Sequence, residues 1–180
     1  PQSTLYGSEA FGGLVNLFSA NAASPKNTYF LNTEAGSYNT LRLSGGLSGS
    51  IKSLQYSLQG SRYITDGFSS AGESYGNFEK DGTRNYNIIG RATYSFSNPL
   101  QLSLIAKFTK ADTELDQFGG NFGDDSTYIS SVEEQGLKAE LTYKASPALD
   151  IAAASSYIRN IRKYQFDATA NNSSSSNSRY

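Results

Sequence analysis

Leu100-Gln101-Leu102-Ser103-Leu104-Ile105-Ala106-Lys107-Phe108-Thr109-Lys110 is the stretch whose reading decides the fold. Leu100, Leu102, Leu104, Ala106 and Phe108 alternate with Gln101, Ser103, Lys107 and Thr109. Successive side chains of an extended chain point to opposite faces, so a period of two predicts a strand with one apolar and one polar face. The apolar positions do not recur at i+3 and i+4, as an amphipathic helix requires.

The same pattern extends in both directions. Toward the C-terminus, Glu133 to Lys144 sets Leu137, Ala139, Leu141 and Tyr143 against Lys138, Glu140, Thr142 and Lys144, and Ala148 to Tyr164 begins with Leu149, Ile151 and Ala153. Toward the N-terminus, Arg84 to Phe96 sets Tyr86, Ile88, Gly90, Ala92, Tyr94 and Phe96 on one face. Leu54 to Thr65 and Thr40 to Gly49 alternate likewise, and Thr28 to Gly36 precedes them. These segments predict seven antiparallel strands. Short turns join some of them, at Ser50–Ser53, Ser97–Pro99 and Ser146–Pro147, while long loops cover Asp66–Thr83 and Ala111–Val132. Gly36-Ser37-Tyr38-Asn39 turns the first pair. Phe166 to Tyr180, with its Asn/Ser-rich run from Asn171 to Ser178, reads as a mobile loop.

Composition narrows the function. The chain of 180 residues has no Cys, His, Met or Trp, so a His-based catalytic triad and a thiol or imidazole metal site are excluded. A net charge of −1 gives no general attraction to nucleic acid. No paired carboxylates or phosphate-binding glycine loop point to an enzyme. No apolar run approaches the ~20 residues of a membrane-spanning helix, but a spanning strand needs only about 9–11. Tyr94, Phe96, Phe108, Tyr143 and Tyr157 fall near strand ends on the apolar face. Aromatic side chains at two levels, with short turns at one edge and long loops at the other, are the pattern of an outer-membrane barrel. The expected fold class is therefore all-β, an antiparallel transmembrane β-barrel segment. The rival readings are a small complete outer-membrane barrel with a structural or adhesive role, and a soluble β-sandwich.

The opening stretch adds a resemblance. Pro1-Gln2-Ser3-Thr4-Leu5-Tyr6-Gly7-Ser8-Glu9-Ala10-Phe11-Gly12-Gly13-Leu14-Val15-Asn16-Leu17 resembles the end of the plug domain of TonB-dependent outer-membrane receptors. Leu5-Tyr6-Gly7, Ala10, Gly12-Gly13 and Asn16 match that family's pattern, while Ser19-Ala20 replaces its usual Thr-Lys. Tyr63-Ile64-Thr65-Asp66-Gly67-Phe68-Ser69 and Asp81-Gly82-Thr83-Arg84 are similar to the second external loop of vitamin B12 and siderophore receptors.

The resemblance implies that residues 1–18 end a plug, 19–27 link, and 28–180 begin the barrel. The seven strands would be part of a 22-stranded barrel. It implies an integral outer-membrane receptor importing a scarce ligand such as cobalamin or a ferric-siderophore. TonB would engage it through an N-terminal part that this chain lacks, as though the chain began inside a longer protein. The short turns would then be periplasmic and the long loops external.

Acids gather in the sequence read as those loops: Asp66, Glu73, Glu79 and Asp81, then Asp112, Glu114, Asp116, Asp124 and Asp125, closed by Glu133-Glu134. Calcium takes six to eight oxygen ligands. Asp66, Asp81, Asp112, Asp116, Asp124 and Asp125 are the candidate ligands, and some cobalamin receptors use calcium in such loops; otherwise these are solvated loop charges. No cofactor is required. Arg42, Arg91, Lys107, Lys138 and Lys144 form a basic set on the polar face, for interior salt bridges (with Glu140 among the partners) or for contact with an anionic siderophore. Tyr75, Phe78, Phe118, Phe122 and Tyr128 either touch a ligand or pack the loops on one another, and packing is the expectation.

Overall fold

The structure is a computed structural model and describes residues 27–97, 99–116, 127–165 and 178–179. The opening segment 1–18, the linker 19–26 and most of the Asn/Ser-rich tail lie outside the described residues. Within them the chain is an all-β antiparallel sheet. Its long strands are β1 (Thr28–Gly36), β2 (Thr40–Ile51), β3 (Leu54–Thr65), β4 (Thr83–Ser97), β5 (Leu100–Glu114), β6 (Ile129–Ser146) and β7 (Leu149–Gln165). A two-residue strand, β8 (Ser178–Arg179), pairs with Ile161 and Arg162, so this part of the tail read as loop is strand. The order β1 to β8 is sequential and the sheet is not closed into a barrel.

Each short turn has a local cause. Thr40 N–H donates to the Ser37 carbonyl, with Tyr38 and Asn39 between them at φ 58° and 53°. Left-handed backbone at both central residues matches the right-handed twist of a hairpin. Lys52 turns β2 into β3 at φ 53°. The two remaining short turns each follow a register shift, at Ser95/Ser97 and at Lys144/Ser146.

Register decides what the strands build. Leu47 pairs with Leu58, Leu58 with Gly90, Gly90 with Ala106, Ala106 with Leu137 and Leu137 with Tyr157. A slip of one residue would have turned a strand over; the two register shifts fall at the short-turn edge, so between the turns the apolar rows merge into one face. Opposite it, Ser57, Arg91, Lys138 and Ser156 make a row that is polar except for Ile105 between Arg91 and Lys138. The apolar residues are not covered. On β4, Tyr86, Ile88, Tyr94 and Phe96 are exposed, whereas Asn85, Asn87, Thr93 and Ser95 on the polar face are half-buried. Among the described residues, Ala71 is the only buried hydrophobic one.

The aromatic residues expected near strand ends divide. Tyr94 and Phe96 stack edge-on at the turn edge, 4.8 Å between centroids, and Tyr143 stands at that edge opposite Leu100. Phe108 marks the far end of its apolar run, while Tyr157 lies one row inside it, opposite Leu137.

The second long loop is shorter than the sequence suggests. Asp112 and Glu114 lie on β5, where the loop was expected, while Glu133 and Glu134 lie on β6 as expected, although that strand already starts at Ile129. The ladder continues through Ala111–Val132, Asp112–Ser131, Thr113–Ser130 and Glu114–Ile129. The Ser131 hydroxyl donates to Asp112 Oδ1 at 2.6 Å, which satisfies that carboxylate on the sheet.

Candidate functional site: the loop cluster at the long-loop edge

Parity places the tip of the first hairpin and the two long loops at the same edge of the sheet. The β1–β2 tip is tied to the loop 66–82. Asn39 Nδ2 donates to Asp66 Oδ2 at 2.6 Å, Asp66 N–H donates to the Tyr38 carbonyl at 2.9 Å, and the Tyr38 and Phe68 rings lie 5.7 Å apart. Thr40 and Thr65 hydroxyls meet at 2.8 Å beneath them. The segments 63–69 and 81–84, singled out in the sequence, close the loop base through the pairs Ile64–Arg84 and Thr65–Thr83. Gly67 sits there at φ 66°, and a Cβ would run into the Asp81 carbonyl, so the site requires glycine twice over.

Inside the loop, Ser69, Ala71 and Asn77 are buried. The chain bends through a 3-10 turn, Glu73–Tyr75, and Asn77 Nδ2 donates back to the carbonyls of Ala71 (3.1 Å) and Gly72 (3.3 Å). Two acids hold neighbouring amides. Asp81 Oδ2 accepts from Ser70 N–H and Asp116 Oδ2 from Ala71 N–H, each at 2.5 Å. Asp116 also takes the Ser69 hydroxyl at 3.5 Å. Glu114 Oε2 accepts Gly82 N–H at 2.9 Å, and Leu115 N–H donates to the Tyr128 carbonyl. The second long loop thus staples the first.

The candidate calcium ligands are therefore distributed. Asp81 and Asp116 converge on residues 69–71; Asp66 faces Asn39 and Lys80 (3.9 Å); Asp112 lies on the sheet between Ser131 and Lys110 (4.0 Å). Asp124 and Asp125 lie outside the described residues. Among the described residues no three acids converge as a metal site. The carboxylates that are described serve as acceptors for backbone and side-chain donors. Sequence reasoning missed Asn39, Ser69 and Asn77: the first two meet carboxylates far away in sequence, Asp66 and Asp116, and the third meets carbonyls of its own loop that only the folded turn brings near.

The ring contact of Tyr128 is with strand β7 rather than with another loop, and two of the other loop aromatics are turned out. Tyr128 lies against Tyr164 at 6.3 Å, but Tyr75 is 60% and Phe78 76% exposed. Phe118 and Phe122 lie outside the described residues. The basic set on the polar face is mostly matched: Lys107 to Glu134 at 2.6 Å, Lys138 to Glu140 at 2.7 Å and Arg42 to Glu34 at 3.9 Å. Arg42 also covers the Tyr63 ring at 5.2 Å.

No protein-family model matches this chain, and no curated protein matches it.

Proposed function

We propose that the chain is wall and loops of a TonB-dependent outer-membrane receptor, which imports a scarce ligand such as cobalamin or a ferric-siderophore. The observation that carries this reading is the one-layer sheet whose apolar face is continuous and uncovered among the described residues. A water-soluble sheet buries its apolar face against a second layer; a barrel wall leaves it to lipid. The apolar run Leu100–Phe108 matches the ~9–11 residues of a spanning strand. The receptor family is supported by the plug-like stretch Pro1–Leu17 alone, and the ligand by the external-loop resemblance.

In this reading transport is energised binding and release, without covalent chemistry. The polar face lines the lumen, and its paired charges hold a wall that water and ligand pass. The loop cluster at the other edge faces outward and presents Tyr75 and Phe78 to what arrives.

Single cysteines test the topology cleanly, since the chain has none. An impermeant maleimide on intact cells should label Ser74→Cys, and should label Lys52→Cys only after the outer membrane is permeabilised. Equal or reversed labelling refutes the orientation. Ligand uptake should stop when the proton gradient is dissipated; the same labelling with gradient-independent behaviour would instead favour a structural or adhesive barrel.

A further inference from the structure

The polar face is satisfied on one side and open on the other. Between β4 and β5 its side chains bond one another. Asn87 Nδ2 donates to Thr109 Oγ1 at 2.8 Å, the Thr93 and Ser103 hydroxyls meet at 3.2 Å, and Gln101 Nε2 donates to Ser95 Oγ at 3.3 Å. Farther along, Lys107 meets Glu134 and Lys138 meets Glu140. The strands β2 and β3 differ. Ser44 stands opposite Ser61, Gly46 opposite Gln59, Ser48 opposite Ser57 and Ser50 opposite Gln55. Among the described residues, the side chains of Ser44, Ser48, Gln55, Ser57, Gln59 and Ser61 have no hydrogen-bond partner. This strip carries no charge. Arg42, the one charged residue on the polar face of β2 and β3, stands above it and is occupied by Glu34 and the Tyr63 ring. Arg91, opposite Ser57 on β4, is engaged within the chain. From Gln55 to Ser61 the strip runs about 20 Å along the strands, and the two strands lie about 5 Å apart. Phe30 borders it on β1. The ring lies where a Cβ on Gly46 would be, beside Gln59, and Phe30 is still 42% exposed.

We infer that this strip binds a neutral, extended oligosaccharide as it passes the wall. The inference rests on the reading of the polar face as the lumen of a receptor, and it narrows the ligand of that receptor. Charge, group chemistry and shape together choose the occupant. Serine hydroxyls and glutamine amides both donate and accept hydrogen bonds, as the hydroxyls of a sugar do. A strip without charge gives an ion no counter-charge, so an anionic ferric-siderophore gains nothing from it. The electron-rich face of an exposed phenylalanine ring attracts the C–H groups of a sugar ring. A strip several times longer than it is wide fits a chain of sugar units better than a compact chelate.

The test screens the purified full-length protein against an array of neutral and acidic oligosaccharides, with calorimetry on the neutral oligosaccharide it retains. The wild-type protein should bind a neutral oligosaccharide. The Q59A/S61A variant, altered at two exposed side chains, should bind it about tenfold more weakly, as the loss of two neutral hydrogen bonds implies. The T33A variant, altered on the apolar face of β1, should bind as wild-type does. Equal affinity in wild-type and Q59A/S61A overturns the inference, as does equal loss in T33A. Retention of acidic sugars alone overturns it too. Binding of cobalamin or a ferric-siderophore with no neutral oligosaccharide retained overturns it while leaving the receptor reading intact. An oligosaccharide that binds at Gln59 and Ser61 but enters cells equally well with the proton gradient dissipated upholds the strip and refutes the receptor reading.

Discussion

The sheet and the loop 66–82 are built on opposite terms. In the sheet, large apolar side chains such as Leu104, Leu137 and Ile151 are exposed, and among the described residues no large side chain is fully buried. In the loop, small and polar residues are buried while Phe68 and Phe78 are turned out. The sheet has its backbone ladder but depends on its surroundings to cover its apolar face. The loop is held by its own hydrogen bonds to Asp81, Asp116 and Asn77. Stability of the wall should thus respond to the medium, and that of the loop to single donors and acceptors.

The most forceful way to break this contrast is Leu104→Arg. If the apolar face lies in lipid, the charge should cost about 2–4 kcal/mol of folding stability in bilayers, read by denaturant titration in vesicles. Ile105→Arg, one residue on and facing the polar side, should cost far less; equal costs would remove the distinction between faces. Gly46→Ala comes next. Its Cβ would stand 2.5 Å from Phe30 Cε1 and 2.9 Å from the Leu58 carbonyl, so about 1–3 kcal/mol should be lost. At Gly90 the nearest atom is Leu58 Cδ1 at 3.6 Å, and alanine there should be tolerated.

Asp116→Ala should act on the loop and spare the wall. Removing the acceptor of Ala71 N–H costs about 1–3 kcal/mol locally. Faster amide exchange at residues 69–77, with β4 and β5 unchanged, is the expected signature; uniform acceleration would mean that loop and wall unfold together. Smallest of all, Lys107→Ala removes a half-exposed ion pair and should change stability by about 1 kcal/mol or less, less still in high salt.

Strands were legible where period two met a turn signal. β1 ends at Gly36, β2 begins after Asn39 and β3 ends before Asp66-Gly67, as those turn residues predict. The ends of β5 and β6 were not legible. Past Lys110 the chain has Asp112, Thr113 and Glu114, and opposite them Ser130 and Ser131, so both faces are polar and alternation disappears. A strand that leaves an apolar band for water keeps its ladder but loses its pattern. The acids were legible as a group but not by role, because composition cannot distinguish a metal ligand from an acceptor of backbone N–H. Nothing in the residues of loop 66–82 shows that Asp116, 45 positions from Ala71, closes it.

The bond between the first hairpin tip and the loop 66–82 has an evolutionary consequence. Asn39, Tyr38 and the Thr40 hydroxyl fit Asp66, Phe68 and Thr65 at set heights above the sheet. An insertion lengthening either tip alone would detach all three contacts at once. The two tips therefore form one unit of inheritance: a change in the length of either has to be matched by a change in the other.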